Sequence, residues 1–474
     1  MPAQPTRPNI LWLDCEDLSP DLGCYGHPFV HTPNLDRLAE EGARFDRAFV
    51  PGPVCSASRS AIATGMYQTS IGAHNHRDMT RYREGPVSPL PEGVRHFCDY
   101  LREAGYFTCC GHATDPERQG KLDYNFAMSF EQAFDGTDWT EREEGQPFFA
   151  EMHFFEVHRD FVHDPERPID PDRVEVPPYY PDHDISRRDR ALYLETVQVL
   201  DRKVGQVLRR LEEEGLAENT IVFFTGDHGG PMLRAKQWLY DSGIRIPLLV
   251  RRPGQIEPGT VREDLVNWID LTTTWLTLAG TEVPDHMQGV DLLDGQTGRE
   301  CVFAARDRCD ETDFRTRCAR TERYKYIRNF YPERPFLQFN AYKKRQYPMW
   351  TLMQVLYRRG ELEPAQQRLL APYRDPEELY DLEHDPHEIN NLAEDPEYAD
   401  VLREMRARLD GWACETGDMG RIPEHPRDTR WVDGLMRDKY EEAMRNRGLD
   451  PDLPDEELLE WWDRRLREMA GEER

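Results

Sequence analysis

Two short apolar runs each end in an acidic cluster, and that pairing sharply limits the folds open to this chain. Asn9-Ile-Leu-Trp-Leu13 leads into Asp14-Cys-Glu-Asp17, and Thr220-Ile-Val-Phe-Phe224 leads into Gly226-Asp-His-Gly-Gly230. Runs this short and this apolar read as strands buried on both faces. Arg245-Ile-Pro-Leu-Leu-Val250 reads as a third. Between them, Tyr193, Val197, Leu200, Val204, Val207 and Leu211 recur at steps of three and four, predicting a helix over roughly 186–214 that Gly215 ends. Thr32-Pro33 looks like an N-cap followed by proline at the first helical position, with Leu35, Leu38 and Ala39 behind it. Strands alternating with helices predict an α/β domain, a large and mostly parallel sheet with helices on both faces. Ligands collect at the carboxyl ends of such strands, so both acidic clusters are expected at one sheet edge.

The pattern changes near 310, and the domains are expected at 1–310 and 311–474. Tyr324-Lys-Tyr-Ile-Arg328 reads as an antiparallel strand, 396–412 as a helix and 455–473 as an amphipathic helix, giving a smaller C-terminal α+β domain. Residues 333–375 are aromatic and basic without clear periodicity. The 474 residues are 38% hydrophobic and 31% charged, enough for a sizeable core, and contain no transmembrane run. The start shows no secretory signal, so the chain as written is expected in the cytoplasm, with export of a processed form left open. A net charge of −29 argues against nucleic acid and membrane partners and requires any anion site to be locally basic. Ten cysteines without a CxxC pair do not make a thiolate zinc site.

The sharpest chemical signal is Pro53-Val-Cys-Ser-Ala-Ser-Arg-Ser-Ala-Ile-Ala-Thr-Gly65. A cysteine at a helix start meets free backbone N–H groups that favour an anion, and Arg59 lies one turn on. From spacing alone, a buried cysteine beside a helix start is an equal reading for Cys55, and a helix N-cap an alternative for either acidic cluster.

C-x-A-x-R followed by T-G resembles the signature of the formylglycine-dependent sulfatases of the alkaline phosphatase superfamily, in which C-x-P-x-R is commoner. The resemblance implies an alkaline phosphatase-like fold and hydrolysis of a sulfate ester or sulfamate. It also implies that Cys55 is oxidised to formylglycine, whose hydrate attacks sulfur and then expels sulfate. On the same basis Glu16, Asp17, Cys55, Asp227 and His228 are expected at a divalent metal, with Asp14 a competitor for Glu16. Calcium is the first choice, with magnesium, manganese or zinc as alternatives. Lys121, His158 and Lys236 resemble the family's active-site lysines and histidine, and with Cys55 and Arg59 form the expected catalytic set. His158 or Lys236 would protonate the leaving group. Asp123 stands where many relatives have histidine, leaving His112 or His74 as substitutes, and His153 is expected to pack. Leu239-Tyr-Asp-Ser-Gly-Ile-Arg-Ile-Pro247 and Glu378-Leu-Tyr-Asp-Leu-Glu-His-Asp-Pro-His-Glu-Ile-Asn-Asn-Leu392 extend the likeness, and Trp412-Ala-Cys-Glu-Thr-Gly-Asp418, with the Glu16-Asp17 start and Asp21-Leu-Gly-Cys-Tyr-Gly26, is most similar to the heparan N-sulfatase branch. The implied partners are a sulfated carbohydrate, a formylglycine-generating maturation enzyme and, in one assembly, a second copy of the chain. Loops 74–95, 160–185 and 330–375 are expected to grip the sugar. The alternatives are a phosphate or phosphonate ester hydrolase of the same superfamily, and a catalytically silent protein that binds sulfated glycans.

Overall fold

In a computed structural model the apolar runs become the centre of a nine-stranded sheet. The structure describes residues 7–76, 89–424 and 426–472, without the side chains of 426–428. The strands are β1 (Asn9–Cys15), β2 (Ala43–Phe49), β3 (Phe107–His112), β4 (Asp115–Gln119), β5 (Phe148–Phe154), β6 (Thr220–Gly226), β7 (Arg245–Arg251), β8 (Thr260–Arg262) and β9 (Val266–Asn267). Their order is β4-β3-β5-β1-β6-β7-β2-β8, with β9 also on β2. The core β3-β5-β1-β6 is parallel, as strands buried on both faces predict. The β6–β7, β7–β2 and β3–β4 steps are antiparallel, so the sheet is mixed.

β1 and β6 are buried at every position, and their register pairs Cys15 with Gly226. The residues after each strand therefore emerge side by side at one edge. Trp12, Trp268 and Trp275 pack as an aromatic cluster, with the Trp12 ring 5.7 Å from Trp268 and 5.0 Å from Trp275. The long helix Asp184–Glu213 lays its apolar stripe on the core and ends before Gly215, whose φ of +71° suits glycine. The helix Pro33–Glu40 forms, but Thr32 does not cap it through its side chain. Its hydroxyl accepts from the Gly23 N–H at 2.8 Å and bonds to Asp36.

A second, four-stranded antiparallel sheet has the order β10 (Val302–Arg306), β11 (Thr316–Arg320), β12 (Tyr324–Asn329) and β13 (Glu377–Asp381). Its first strand precedes the boundary drawn at 310. The helix Ala399–Glu415 covers it through Leu402, Met405, Leu409 and Trp412. Residues 333–375, featureless in sequence, hold helices at Ala341–Gln346, Pro348–Arg359 and Pro364–Gln367. All ten cysteines are free thiols, and only Cys24 and Cys414 reach solvent appreciably.

Candidate active site

The site is built where β1 and β6 end and a third segment approaches them. Beyond β1, Asp17 takes a φ of +55°, a turn that directs its carboxylate toward the neighbouring strand end. The Asp17 N–H donates to Asp227 Oδ1 at 3.0 Å, and the Asp227 N–H donates to the Cys15 carbonyl at 3.0 Å. Strand order thus brings together two acidic pairs more than 200 residues apart in sequence.

Cys55 is the first residue of the helix Cys55–Thr64. Its serines, alanines and threonine are small enough for all ten residues to be buried. Gly65 closes the helix at φ +67°. Val54, the N-cap, is extended and offers no side-chain cap, so the first-turn N–H groups face the Cys55 end without that partner. Cys55 Sγ lies 3.2 Å from His228 Nε2, 3.6 Å from Lys236 Nζ and 3.9 Å from Asp17 Oδ1. Lys236 Nζ reaches both Asp17 oxygens at 2.8 Å, and Gln237 N–H donates to the Pro53 carbonyl at 2.7 Å, tying the lysine loop to the cysteine loop. Burial would push the Lys236 ammonium down, but the charges of Asp17 and Cys55 hold it well above its ordinary value. Burial opposes the Asp17 carboxylate too, yet Lys236 and His228 hold it far below the usual carboxylate range.

One ligand atom from each of Asp17, Cys55, Asp227 and His228 lies within 4.8 Å of the others. Asp227 Oδ2 is buried without a hydrogen-bond partner. A set of carboxylate and imidazole donors with an unsatisfied buried oxygen fits a divalent cation. The negative charge that holds a proton on His228, against the pull of burial, would equally hold a metal.

Glu16 stands beside this group rather than in it. Oε1 meets His153 Nε2 at 3.0 Å, Oε2 meets Lys121 Nζ at 2.9 Å, and its metal-like grouping is with Asp17 and His158. Lys121 is held protonated by the charges of Cys55 and Glu16, against burial, and lies 3.6 Å from Asp123. Half-buried His158 bonds through Nδ1 to the Arg159 carbonyl at 2.7 Å, leaving Nε2 to accept from the Tyr342 hydroxyl at 3.2 Å. Burial first, then Lys236, pushes its imidazole below the usual range.

Arg59 does not face the anion position. It is 1% exposed, ion-paired to Asp14, 3.2 Å from Glu151 and 3.5 Å from Asp227 Oδ2. Asp14 serves Arg59 and His153 and is absent from the Cys55 group. His153 packs at 4.8 Å from the Phe155 ring and also bridges Asp14 and Glu16, at 3.0 Å to each. The sequence reading missed this network, although a glutamate and a histidine inside the buried strand Phe-Phe-Ala-Glu-Met-His-Phe were its signal. It also missed Tyr342 and the bond between Ser56 Oγ and His76 Nδ1 at 2.7 Å. Of the two histidines offered as substitutes, His112 stacks on Phe155, and His74 lines a cavity with Asn75 and Arg308. Of the expected sugar-gripping loops, residues 77–88 lie outside the described residues.

A nucleophile position at a helix start, beside a carboxylate–imidazole group and two lysines on a wide α/β sheet, defines a metal-assisted hydrolase of anionic esters. The sulfatase family model matches residues 8–281, and the model of the N-sulphoglucosamine sulphohydrolase C-terminal region matches residues 226–371. An ulvan-active sulfatase of Formosa agariphila is 34% identical over 89% of this chain and 77% of its own length. N-acetylgalactosamine-6-sulfatase of Canis lupus familiaris is 29% identical over 62% of this chain and 67% of its own. A protein solved in complex with D-glucosamine-2-N,6-O-disulfate shares the fold with a TM-score of 0.62 at 19% identity, covering 87% of this chain and 98% of that one. The phosphonate monoester hydrolase of Agrobacterium radiobacter does so with a TM-score of 0.62 at 20% identity, covering 86% and 96%. The chain belongs to the sulfatase family. It is a sulfuric ester hydrolase acting on a sulfate ester or sulfamate, and its family works with a divalent metal and a formylglycine.

Proposed function

We propose that this sulfatase removes sulfate from a sulfated carbohydrate, using residue 55 as formylglycine and calcium at Asp17, Asp227 and His228, with Glu16 adjoining. The observation that carries the reading is Cys55 at its helix start, within 3.6 Å of both His228 and Lys236. The names of the ulvan-active and N-acetylgalactosamine-6-sulfatase relatives support a sugar substrate. The carboxylate donors favour a hard cation, and His228 leaves room for manganese or zinc. Bound there, the cation would offset charge on the sulfuryl oxygens. Oxidised to formylglycine, residue 55 would supply a nucleophile that no coded side chain offers.

The chain's own residues divide the remaining work by position. Lys236, locked on Asp17, and Lys121, locked on Glu16, hold fixed positive charge beside residue 55, where the sulfate group would bind. Both are preorganised by those ion pairs, so little reorientation is needed as charge develops. Two groups are placed to hand a proton to the leaving oxygen or nitrogen: Lys236, which is held protonated beside residue 55, and His158, which is more open and would do so once its Nε2, an acceptor from Tyr342, takes up a proton. Arg59 and His153 hold the carboxylates of Asp14, Glu16, Glu151 and Asp227 in place through ion pairs and hydrogen bonds.

The test is a peptide mass spectrum across residue 55 after co-expression with a maturation enzyme, paired with sulfate release from sulfated sugars and comparison of an aryl sulfate with an aryl phosphonate ester. A formylglycine mass with sulfate preferred over phosphonate is the expected result. An unmodified cysteine in an active protein would overturn the nucleophile assignment, and a phosphonate preference would overturn the substrate class.

A further inference from the structure

A second cavity lies apart from the Cys55 group, between the segment that carries Lys236 and the second sheet. Its volume is about 240 Å³, below the ~300–1,000 Å³ of pockets for drug-sized ligands, so it suits one sugar ring rather than an oligosaccharide. Tyr179, Tyr240, Phe336 and Tyr380 give it aromatic walls, and Tyr373, 67% exposed, stands among the lining residues as a surface aromatic. Rings of this kind cover the C–H face of a pyranose.

The polar lining is unevenly satisfied. Three carboxylates line the cavity and each is engaged. Asp375 pairs with Arg368 at 2.8 Å. Glu378 accepts from the Tyr240 and Tyr380 hydroxyls at 2.8 and 2.6 Å and from Asn329. Glu388 pairs with Lys325 at 2.9 Å. Two of the three guanidinium groups have no carboxylate ion pair among the described residues. Arg234 lies over the Tyr240 ring at 3.5 Å and donates only to the carbonyls of His387 and Glu388. Arg374 donates from Nη1 to the Asn329 amide oxygen at 2.9 Å and from Nη2 to the Tyr331 carbonyl at 3.4 Å, while its Nε is buried without an acceptor. Arg374 is 7% exposed, and burial, with Arg306 nearby, pushes its guanidinium down to about 10. Arg234 and Arg374 thus bring to the lining positive charge that no carboxylate among the described residues ion-pairs, which suits a ligand carrying negative charge.

We propose that this cavity is an accessory binding site for a single pyranose unit bearing an acidic group, a carboxylate or a sulfate. The ring sits among the tyrosines, and the acidic group meets Arg374 and Arg234. The site is separate from residue 55 and stands whether or not the proposed substrate is right. One loop serves both places, since Arg234 and Tyr240 flank Lys236 in sequence.

The experiment uses full-length Cys55→Ala protein, so that no turnover intervenes, and titrates glucuronate, glucose 6-sulfate and glucose by calorimetry or ligand-observed NMR. Both acidic sugars should bind at least about tenfold more tightly than glucose. Their ranking tells carboxylate from sulfate. Adding Arg374→Gln should weaken them by about tenfold or more, whereas adding Lys236→Ala should leave this binding in place. Because buried Arg374 also supports the fold, Tyr373→Ala provides a surface variant, expected to weaken binding about threefold or more with an unchanged Tm. Binding that glucose matches, that Lys236→Ala abolishes, or that is indifferent to both cavity variants would overturn the proposal.

Discussion

At the scale of single residues, the active site is a set of buried charges that only make sense together. Asp227 has one oxygen bonded by the Asp17 N–H and the other buried without a hydrogen bond, 3.5 Å from Arg59 Nε. Asp227→Ala should therefore lower divalent-metal affinity by more than about 100-fold and abolish turnover, while removing one buried carboxylate that Arg59 helps to neutralise. Metal competition titration reads the first effect without relying on activity, and wild-type affinity in the variant would remove Asp227 from the metal group. His158 makes a different prediction. If it protonates the leaving atom, His158→Ala should slow release from a sugar alcohol by about 10²–10⁴-fold and release from a nitrophenyl sulfate far less, because nitrophenolate leaves without help. Equal losses on both substrates would move the proton to Lys236. The acidic clusters and Cys55 stand out in the sequence as short motifs, whereas both lysines and His158 were candidates only through their order and context in the sulfatase pattern. Asp14, Glu151 and His153 were not read as a network, because their meeting depends on β1 and β5 lying side by side in register, with Asp14 opposite His153.

At the scale of elements, local signals were read well where the periodicity was clean and poorly where it was not. Asp184–Glu213 and the central strands follow from apolar spacing alone. The helices within 333–375, and Pro426–Asn446, were missed because aromatic and basic residues interrupt a simple apolar stripe. The helix Phe97–Glu103 illustrates a coupling that spacing does not show. Its N-cap is His96, whose Nδ1 accepts from the Cys98 N–H at 3.2 Å while its ring stacks on Phe97 and meets the Tyr124 hydroxyl at 3.1 Å. Burial first, and then Arg102, pushes His96 down to about 3 from an ordinary 6.5. The native state thus holds it neutral, while the unfolded chain takes up a proton below pH 6.5. Stability from this group is complete above pH 6.5 and declines as the pH falls toward 3, by about 3 kcal/mol at pH 4. Asparagine can keep the cap without the titration. Urea denaturation of His96→Asn should accordingly show a shallower loss of stability between pH 6.5 and 4 than the parent. Parallel curves for the two proteins would rule out His96 as a source of acid lability.

At the scale of the whole molecule, a net charge of −29 surrounds a site where two lysines are held protonated beside the nucleophile position. A polyanionic substrate is repelled at a distance and attracted only at short range. Raising the ionic strength from about 0.02 to 0.2 M shortens the screening length severalfold and should raise kcat/KM for a sulfated polysaccharide by about 2–10-fold. A singly charged aryl sulfate should respond less. Stopped assays across a chloride series check this, and a fall for the polysaccharide would mean that short-range attraction by the lysines outweighs the acidic surface.

Sequence by itself determined the α/β class, the order of the site motifs and the family, because buried strands, an amphipathic helix and the Cys55 motif are each encoded within a few consecutive residues. Tertiary structure alone decided the mixed rather than wholly parallel sheet, since strand direction at β7 and β2 depends on how the chain returns to the sheet edge and not on the apolar content of a strand. It also decided that Arg59 turns inward to Asp14, Glu151 and Asp227, and that Glu16 is shared between His153 and Lys121. A carboxylate's position in sequence says where its backbone emerges. Which cation it meets is settled by the neighbours that folding delivers, because burial makes each unpaired charge costly and leaves only a mutually neutralising arrangement stable.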